Sequence, residues 1–207
     1  MTVVPIRAVI FDVGTVLVHE EPVERLLDAW HARSGVPVED LADAIAANDP
    51  VDFAVGRVTE RHMADELATR FSLAPAQVEA WMADFWDWYC GTSNEMVRSY
   101  ARSLRPQFRT AILSNSFDGA RREEERRLRF QEDFDPIVYS HEVGMAKPDP
   151  RVYEYTLKAL ACTAREVAYV DDRSENVEVA SALGIRAMQH IDTVSTLAWL
   201  DRLLDRA

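Results

Sequence analysis

From residue 106 onward the chain alternates short apolar runs with helical patterns. One further apolar run, residues 6–12, stands alone ahead of a long helical stretch. Strands that alternate with helices bury their apolar faces as a mostly parallel sheet covered on both sides, because each crossover lays a helix on a face. The fold class is therefore α/β. Later strands are expected at 109–114, 136–139, 166–170 and 185–188. The helices between and after them are expected at 118–130, 149–160, 176–183 and 193–205, with Gly184 stopping the third. Between residues 20 and 103 only helical patterns occur. Pro22 opens the first, with Val23, Leu26, Leu27 and Trp30 on one face and Gly35 past its end. Others span 38–47, start at Thr59 (Met63, Leu67, Phe71), start at Pro75 (Val78, Trp81, Phe85, Trp88) and span 94–104. This block is most simply an insertion after the first strand.

Ligands of open parallel sheets bind beyond the carboxyl ends of the strands. Asp12, Ser114-Asn115 and Asp171-Asp172 all fall at such ends, and Lys147-Pro148 follows another strand. Asp12 closes the run Ala8-Val9-Ile10-Phe11 and leads into Val13-Gly14-Thr15, an unusual place for a charge beside a buried strand. Taken singly, each feature has an ordinary explanation as a turn former, helix cap or surface lysine. Together they form a phosphate and metal constellation. A carboxylate serves as nucleophile when a cation neutralises and positions its target. Mg²⁺ takes oxygen ligands, typically one or two carboxylates with waters and substrate phosphate. Asp12 suits both tasks, Asp172 (or less readily Asp171) the second carboxylate, and the Gly14 carbonyl a third ligand. Ser114 and Asn115 offer a hydroxyl and an amide to phosphate oxygens, and Lys147 a point charge to phosphate and Asp12.

Composition limits the partners. Of 207 residues 48% are hydrophobic and 28% charged, and 35 acidic against 23 basic side chains give a formal charge of −12. Such a surface repels nucleic acid and anionic membranes, so neither is expected as a partner. An anionic substrate needs a local cation. Cys90 and Cys162 fall in different expected elements and make neither a disulfide framework nor a thiolate metal site. No targeting leader and no membrane span is apparent, so a cytoplasmic protein is expected; oligomeric state stays open.

The segments Phe11-Asp12-Val13-Gly14-Thr15-Val16-Leu17, Leu113-Ser114-Asn115-Ser116, Gly144 to Tyr153 around Lys147, and Tyr169-Val170-Asp171-Asp172 through Asn176 resemble motifs I to IV of the haloacid dehalogenase-like superfamily. The match is with its phosphatase branch carrying a helical cap after motif I. The resemblance spans nearly the whole chain. It implies a Rossmann-like parallel sheet of order 3-2-1-4-5 with helices on both faces. It also implies a core of residues 1–18 and 99–207 and an all-helical cap of 19–98. By resemblance, Asp12 is the nucleophile that becomes an aspartyl phosphate. Ser114 and Lys147 hold the phosphoryl group, and Asp172 binds Mg²⁺ with Asp171 and Asn176 in support. The substrate is then a small phosphomonoester, of the sugar or acyl phosphate class.

Position 14 departs from the pattern. Most phosphatases of this family carry there an Asp that protonates the leaving oxygen and then activates water. Glycine keeps the carbonyl but not the proton transfer, a loss of about 10²–10⁴ in rate. Three readings follow: a phosphatase with an easy leaving group or a substitute such as His19 or Glu20; a retained fold with little turnover; or a metal-independent 2-haloacid dehalogenase, whose halide needs no proton. Elsewhere, Trp81, Phe85 and Trp88 are expected in the cap core, while Trp86 lies off that stripe, the better candidate of the group to face substrate or a partner but with no site role assigned. Residues 121–129 read as a solvated helix with Glu123–Arg127 and Glu125–Arg129 pairs.

Overall fold

The computed structural model describes residues 4–47 and 49–206. Its first strand, β1 (Ala8–Phe11), is followed by a turn and the two-residue strand β2 (Val18–His19). Five helices come next: α1 (Val23–Ser34), α2 (Val38–Ala46), α3 (Pro50–Ala54), α4 (Glu60–Phe71) and α5 (Pro75–Cys90). The strand β3 (Thr92–Ser93) returns antiparallel to β2, so the two ends of the helical segment are tied together by a short ribbon. The rest alternates: α6 (Glu95–Leu104), β4 (Arg109–Ser114), α7 (Ala120–Leu128), β5 (Ile137–Tyr139), α8 (Ser140–Val143), α9 (Pro150–Leu160), β6 (Val167–Asp171), α10 (Ser174–Ala182), β7 (Arg186–Gln189) and α11 (Thr193–Leu203).

The large sheet runs β5-β4-β1-β6-β7, every pair parallel. Counted within this sheet, the order is 3-2-1-4-5. β1 is central, and its fully apolar run is explained by two buried faces. Val9 and Phe11 join one core cluster, with Val97, Ala101 and Leu104 of α6 and Leu200 of α11. Ala8 and Ile10 join the other, with Val152, Tyr153 and Leu160 of α9 and Ala180 of α10. The register sets Phe11 beside Ile112 and Val170, so the next residues of β1, β4 and β6 emerge together.

The helical segment has an aromatic core. Trp30 and Trp81 stack at 4.8 Å, and Trp30 Nε1 donates to the Trp81 carbonyl. Trp86, off the stripe of Trp81, Phe85 and Trp88, is also buried: it donates to Glu60 Oε1 at 2.7 Å and stacks on Phe117, because α7 covers that side of α5. Asn94 anchors the ribbon. Its main-chain N–H reaches the Leu17 carbonyl, and its amide donates to the Val16 carbonyl and Thr193. Among the described residues no helix is long and apolar enough to cross a membrane.

The charged helix α7 departs from its expected pairing. Glu123 meets Arg127 as predicted, whereas Arg129 turns to Glu132. Arg129 lies past the helix end at φ 54°, which carries its side chain away from Glu125.

Candidate active site

Asp12 lies one residue beyond β1 and is buried. Its Oδ1 accepts from the Val13 N–H and from Lys147 Nζ at 2.6 Å, which leaves Oδ2 outside that pair. The Lys147 ammonium also reaches Asp171 Oδ2 at 2.7 Å and the Leu113 carbonyl at 3.0 Å. One cation is thus shared by two carboxylates. Burial lowers a lysine, but Asp12 and Asp171 outweigh it and hold Lys147 protonated, above its ordinary value. Asp171 is the better-served carboxylate. Tyr169 donates to its Oδ2, while Asn176 and the Arg173 N–H donate to Oδ1. Burial opposes its charge, yet these partners hold it below the usual carboxylate range. Asp12 is the poorer one: burial, with the Asp171 charge added, pushes it up to about 7 against the pull of Lys147.

Asp12, Asp171 and Asp172 each bring a carboxylate oxygen within 4.8 Å of the others. The donor set is all oxygen and anionic, which fits Mg²⁺ rather than a soft metal. Since four donors already occupy Asp171, Asp12 and Asp172 have the carboxylate oxygens left to offer a cation. Burial and the Asp171 charge raise Asp172, a strain that a bound cation relieves. The Gly14 carbonyl accepts from the Val16 N–H at 2.6 Å and keeps its second lone pair.

Ser114 ends β4 and lines a cavity of about 210 Å³ with Gly14, Glu20, Tyr89 and Glu124. Asn115 also lines it, but its amide is turned to the main chain of Lys147: Nδ2 donates to the Lys147 carbonyl at 2.8 Å, and Oδ1 accepts its N–H at 2.7 Å. These two bonds tie the Asn115 amide to the Lys147 main chain, a contact the residue type alone did not suggest. Asn176 stands behind Asp171.

Of the two substitutes expected near Gly14, Glu20 lines the cavity and His19 does not. Alternation explains it, because Val18 and Glu20 share a side while His19 points away to solvent. The Glu20 carboxylate occupies the room a side chain at 14 would take, since a Cβ built on Gly14 overlaps Glu20 Oε1. Burial and the Asp172 charge raise Glu20, while a hydrogen bond from Thr15 opposes them.

Two partners escaped the sequence reading. Tyr169 was quoted within the Asp171-Asp172 segment but given no role, although period two puts it on the same side as Asp171. Glu124 was lost in a charged run, yet Ala120, Glu124 and Leu128 form a buried i, i+4, i+8 stripe. Its carboxyl accepts from Tyr139 Oη at 2.5 Å, and Arg121 stacks over that ring at 4.8 Å. Burial pushes it up to about 8, the Tyr139 bond opposing and the Asp12 charge adding. A raised carboxyl contributes its stability below its ordinary value of 4.5 and loses it as pH rises through about 8. Glu124→Gln is therefore expected to flatten the fall in stability across that window, by no more than roughly 5 kcal/mol at 1.4 per pH unit. Urea midpoints of both proteins at several pH values check this. A smaller fall remains from Asp12, which has the same sign.

The sequence profile of the haloacid dehalogenase-like hydrolases matches residues 6–184, and the chain belongs to that family. It is 26% identical over 199 residues to the sesquiterpene phosphatase astK of Aspergillus oryzae, covering 96% of each protein. It is 28% identical over 194 residues to acyl-CoA dehydrogenase family member 10 of Mus musculus. That match covers 88% of this chain but only 18% of the mouse protein. A haloacid dehalogenase family enzyme of Bacteroides thetaiotaomicron, solved with magnesium and inorganic phosphate, superposes with a TM-score of 0.76 at 18% identity. It covers 93% of this chain and 98% of the other. At that identity the superposition speaks for the fold.

Proposed function

We propose that the chain is a Mg²⁺-dependent phosphomonoester hydrolase that works through an aspartyl phosphate on Asp12. The carrying observation is the buried Lys147 ammonium, held 2.6 Å from Asp12, while the chain neighbours Val13 and Gly14 line a cavity with Ser114 and Glu20. The family membership and the phosphatase activity in the name of the Aspergillus oryzae relative support it. Asp12 Oδ2 attacks phosphorus, and the ester oxygen leaves with the electron pair of its P–O bond. Glu20 gives that oxygen a proton, then takes one from the water that cleaves the aspartyl phosphate. Ser114 and Lys147 hold the phosphoryl oxygens, with Asn115 fixing Lys147 and Asp171 and Asn176 fixing the ammonium. Bound by Asp12, Asp172 and the Gly14 carbonyl, Mg²⁺ supplies charge neutralisation at the phosphoryl group. Residues 19–98 act as the cap and exclude bulk water.

The test uses p-nitrophenyl phosphate, acetyl phosphate and L-2-chloropropionate with Mg²⁺ or EDTA. Phosphate release is expected only with Mg²⁺, falling roughly 10³-fold or more in Asp12→Asn. Chloride release in EDTA would instead mark a dehalogenase. A folded protein inert toward all phosphate esters would mark a binding module.

A further inference from the structure

We propose that the substrate is the phosphate monoester of an apolar alcohol, whose chain lies in a cavity of the helical segment next to the catalytic cavity. This rests on the phosphatase reading and names its substrate class. The second cavity, of about 280 Å³, lies among α1 to α5 and is walled by Leu26, Trp30, Phe53, Met63, Leu67 and Phe85. Its size is near the lower end of small-molecule pockets, roughly 300–1,000 Å³. Glu66 is the one charged side chain among the described residues of its lining.

Two observations select the occupant. The two cavities have Trp88 and Tyr89 as common walls, so a chain esterified at a phosphate held in the cavity of Gly14 and Ser114 has the apolar space next to it. Both indole N–H groups of the aromatic walls are already engaged, and the Tyr89 oxygen already accepts a bond. Trp30 Nε1 donates to the Trp81 carbonyl and Trp88 Nε1 to the Glu21 carbonyl, while Tyr89 Oη accepts the Phe117 N–H. Among the described residues, a sugar placed there would find only Glu66 and the Tyr89 hydroxyl for its several hydroxyls, whereas a hydrocarbon gains from every buried methylene. An apolar cleft of this size beside a reaction centre suits a hydrocarbon, which displaces water that its walls hold poorly.

The experiment measures kcat/KM for n-alkyl phosphates from ethyl to decyl, with glucose 1-phosphate and p-nitrophenyl phosphate alongside. The expected result is a rise of about fourfold per methylene, equivalent to about 0.8 kcal/mol, levelling off once the cavity is full. Glucose 1-phosphate falls below the longer alkyl esters. Ala44→Leu, which projects into the void from α2, lowers the decyl-to-ethyl ratio at least tenfold. Met63→Phe does the same from α4 and serves if the first variant fails to fold. A flat chain-length series, or a preference for the sugar ester, overturns the proposal while leaving the phosphatase reading intact. If no ester is hydrolysed, including p-nitrophenyl phosphate, the phosphatase reading fails. The cavity is then judged by decan-1-ol titration of tryptophan fluorescence: saturable binding weakened by Ala44→Leu upholds an apolar-chain pocket, and no saturable binding overturns it.

Discussion

Lys147→Met is expected to lower stability by about 3–5 kcal/mol at about pH 8, and phosphate release by at least 10²-fold. Methionine keeps most of the volume but none of the charge. It leaves Asp12 and Asp171, both buried, facing each other without the ammonium that now sits 2.6 and 2.7 Å away. The remaining donors to Asp171 are Tyr169, Asn176 and the Arg173 N–H, whereas Asp12 keeps only the Val13 N–H among the bonds described. Both carboxyls then rise above their unfolded value, so their contribution is full at low pH and is lost as pH rises. The deficit of the variant should therefore be small near about pH 5 and largest above the wild-type Asp12 value of about 7. Urea unfolding at the two pH values measures it. Asp12→Asn combined with Lys147→Met removes one of the stranded charges and should recover part of the loss. A deficit equal at both pH values would mean that the two carboxylates are not what Lys147 holds in place.

Much of this site was legible because sheet chemistry is local. An apolar run ending on a carboxylate has few places to go in a parallel sheet. The β1 register then puts Asp12, Ser114 and Asp171 at one edge with no further information. Elements without such patterns were not legible. α3 and α8 have five and four residues, too few for a helical period, and the two-residue strands of the ribbon cannot show alternation. The burial of Trp86 was not legible because a stripe on one helix does not reveal that another helix covers its flank. Asn115 was matched to phosphate by residue type, while its contacts with the Lys147 main chain depend on a loop 32 residues away. The apolar cavity comes from packing among five helices, which no single helix pattern encodes.

The pairing of Gly14 with Glu20 gives the sharpest result expected of this chain. Glu20→Gln should lower kcat/KM for alkyl phosphates by about 10²–10⁴, because an alkoxide cannot leave without a proton. For p-nitrophenyl phosphate kcat/KM should change little, since that phenolate leaves unassisted. The second half-reaction then lacks its base, so the variant should show a burst of p-nitrophenolate and accumulate phosphorylated Asp12, trapped by acid quench. A structural role for Glu20 predicts neither the leaving-group dependence nor the burst. The reciprocal change tests the geometry. Gly14 is absent from the positive-φ glycines, so its backbone accepts a side chain, and the obstacle is the Glu20 carboxylate. Gly14→Asp alone must push that flexible end aside and sets a further negative charge beside Asp172, so activity should fall. With Glu20→Ala added, the space opens and the new carboxylate inherits the position, so alkyl phosphate turnover should recover above that of either single variant. If Gly14→Asp alone raises activity on poor leaving groups, Glu20 was not carrying the proton. If the double variant falls as far as the two losses multiplied, the residues act independently and the shared-space argument fails.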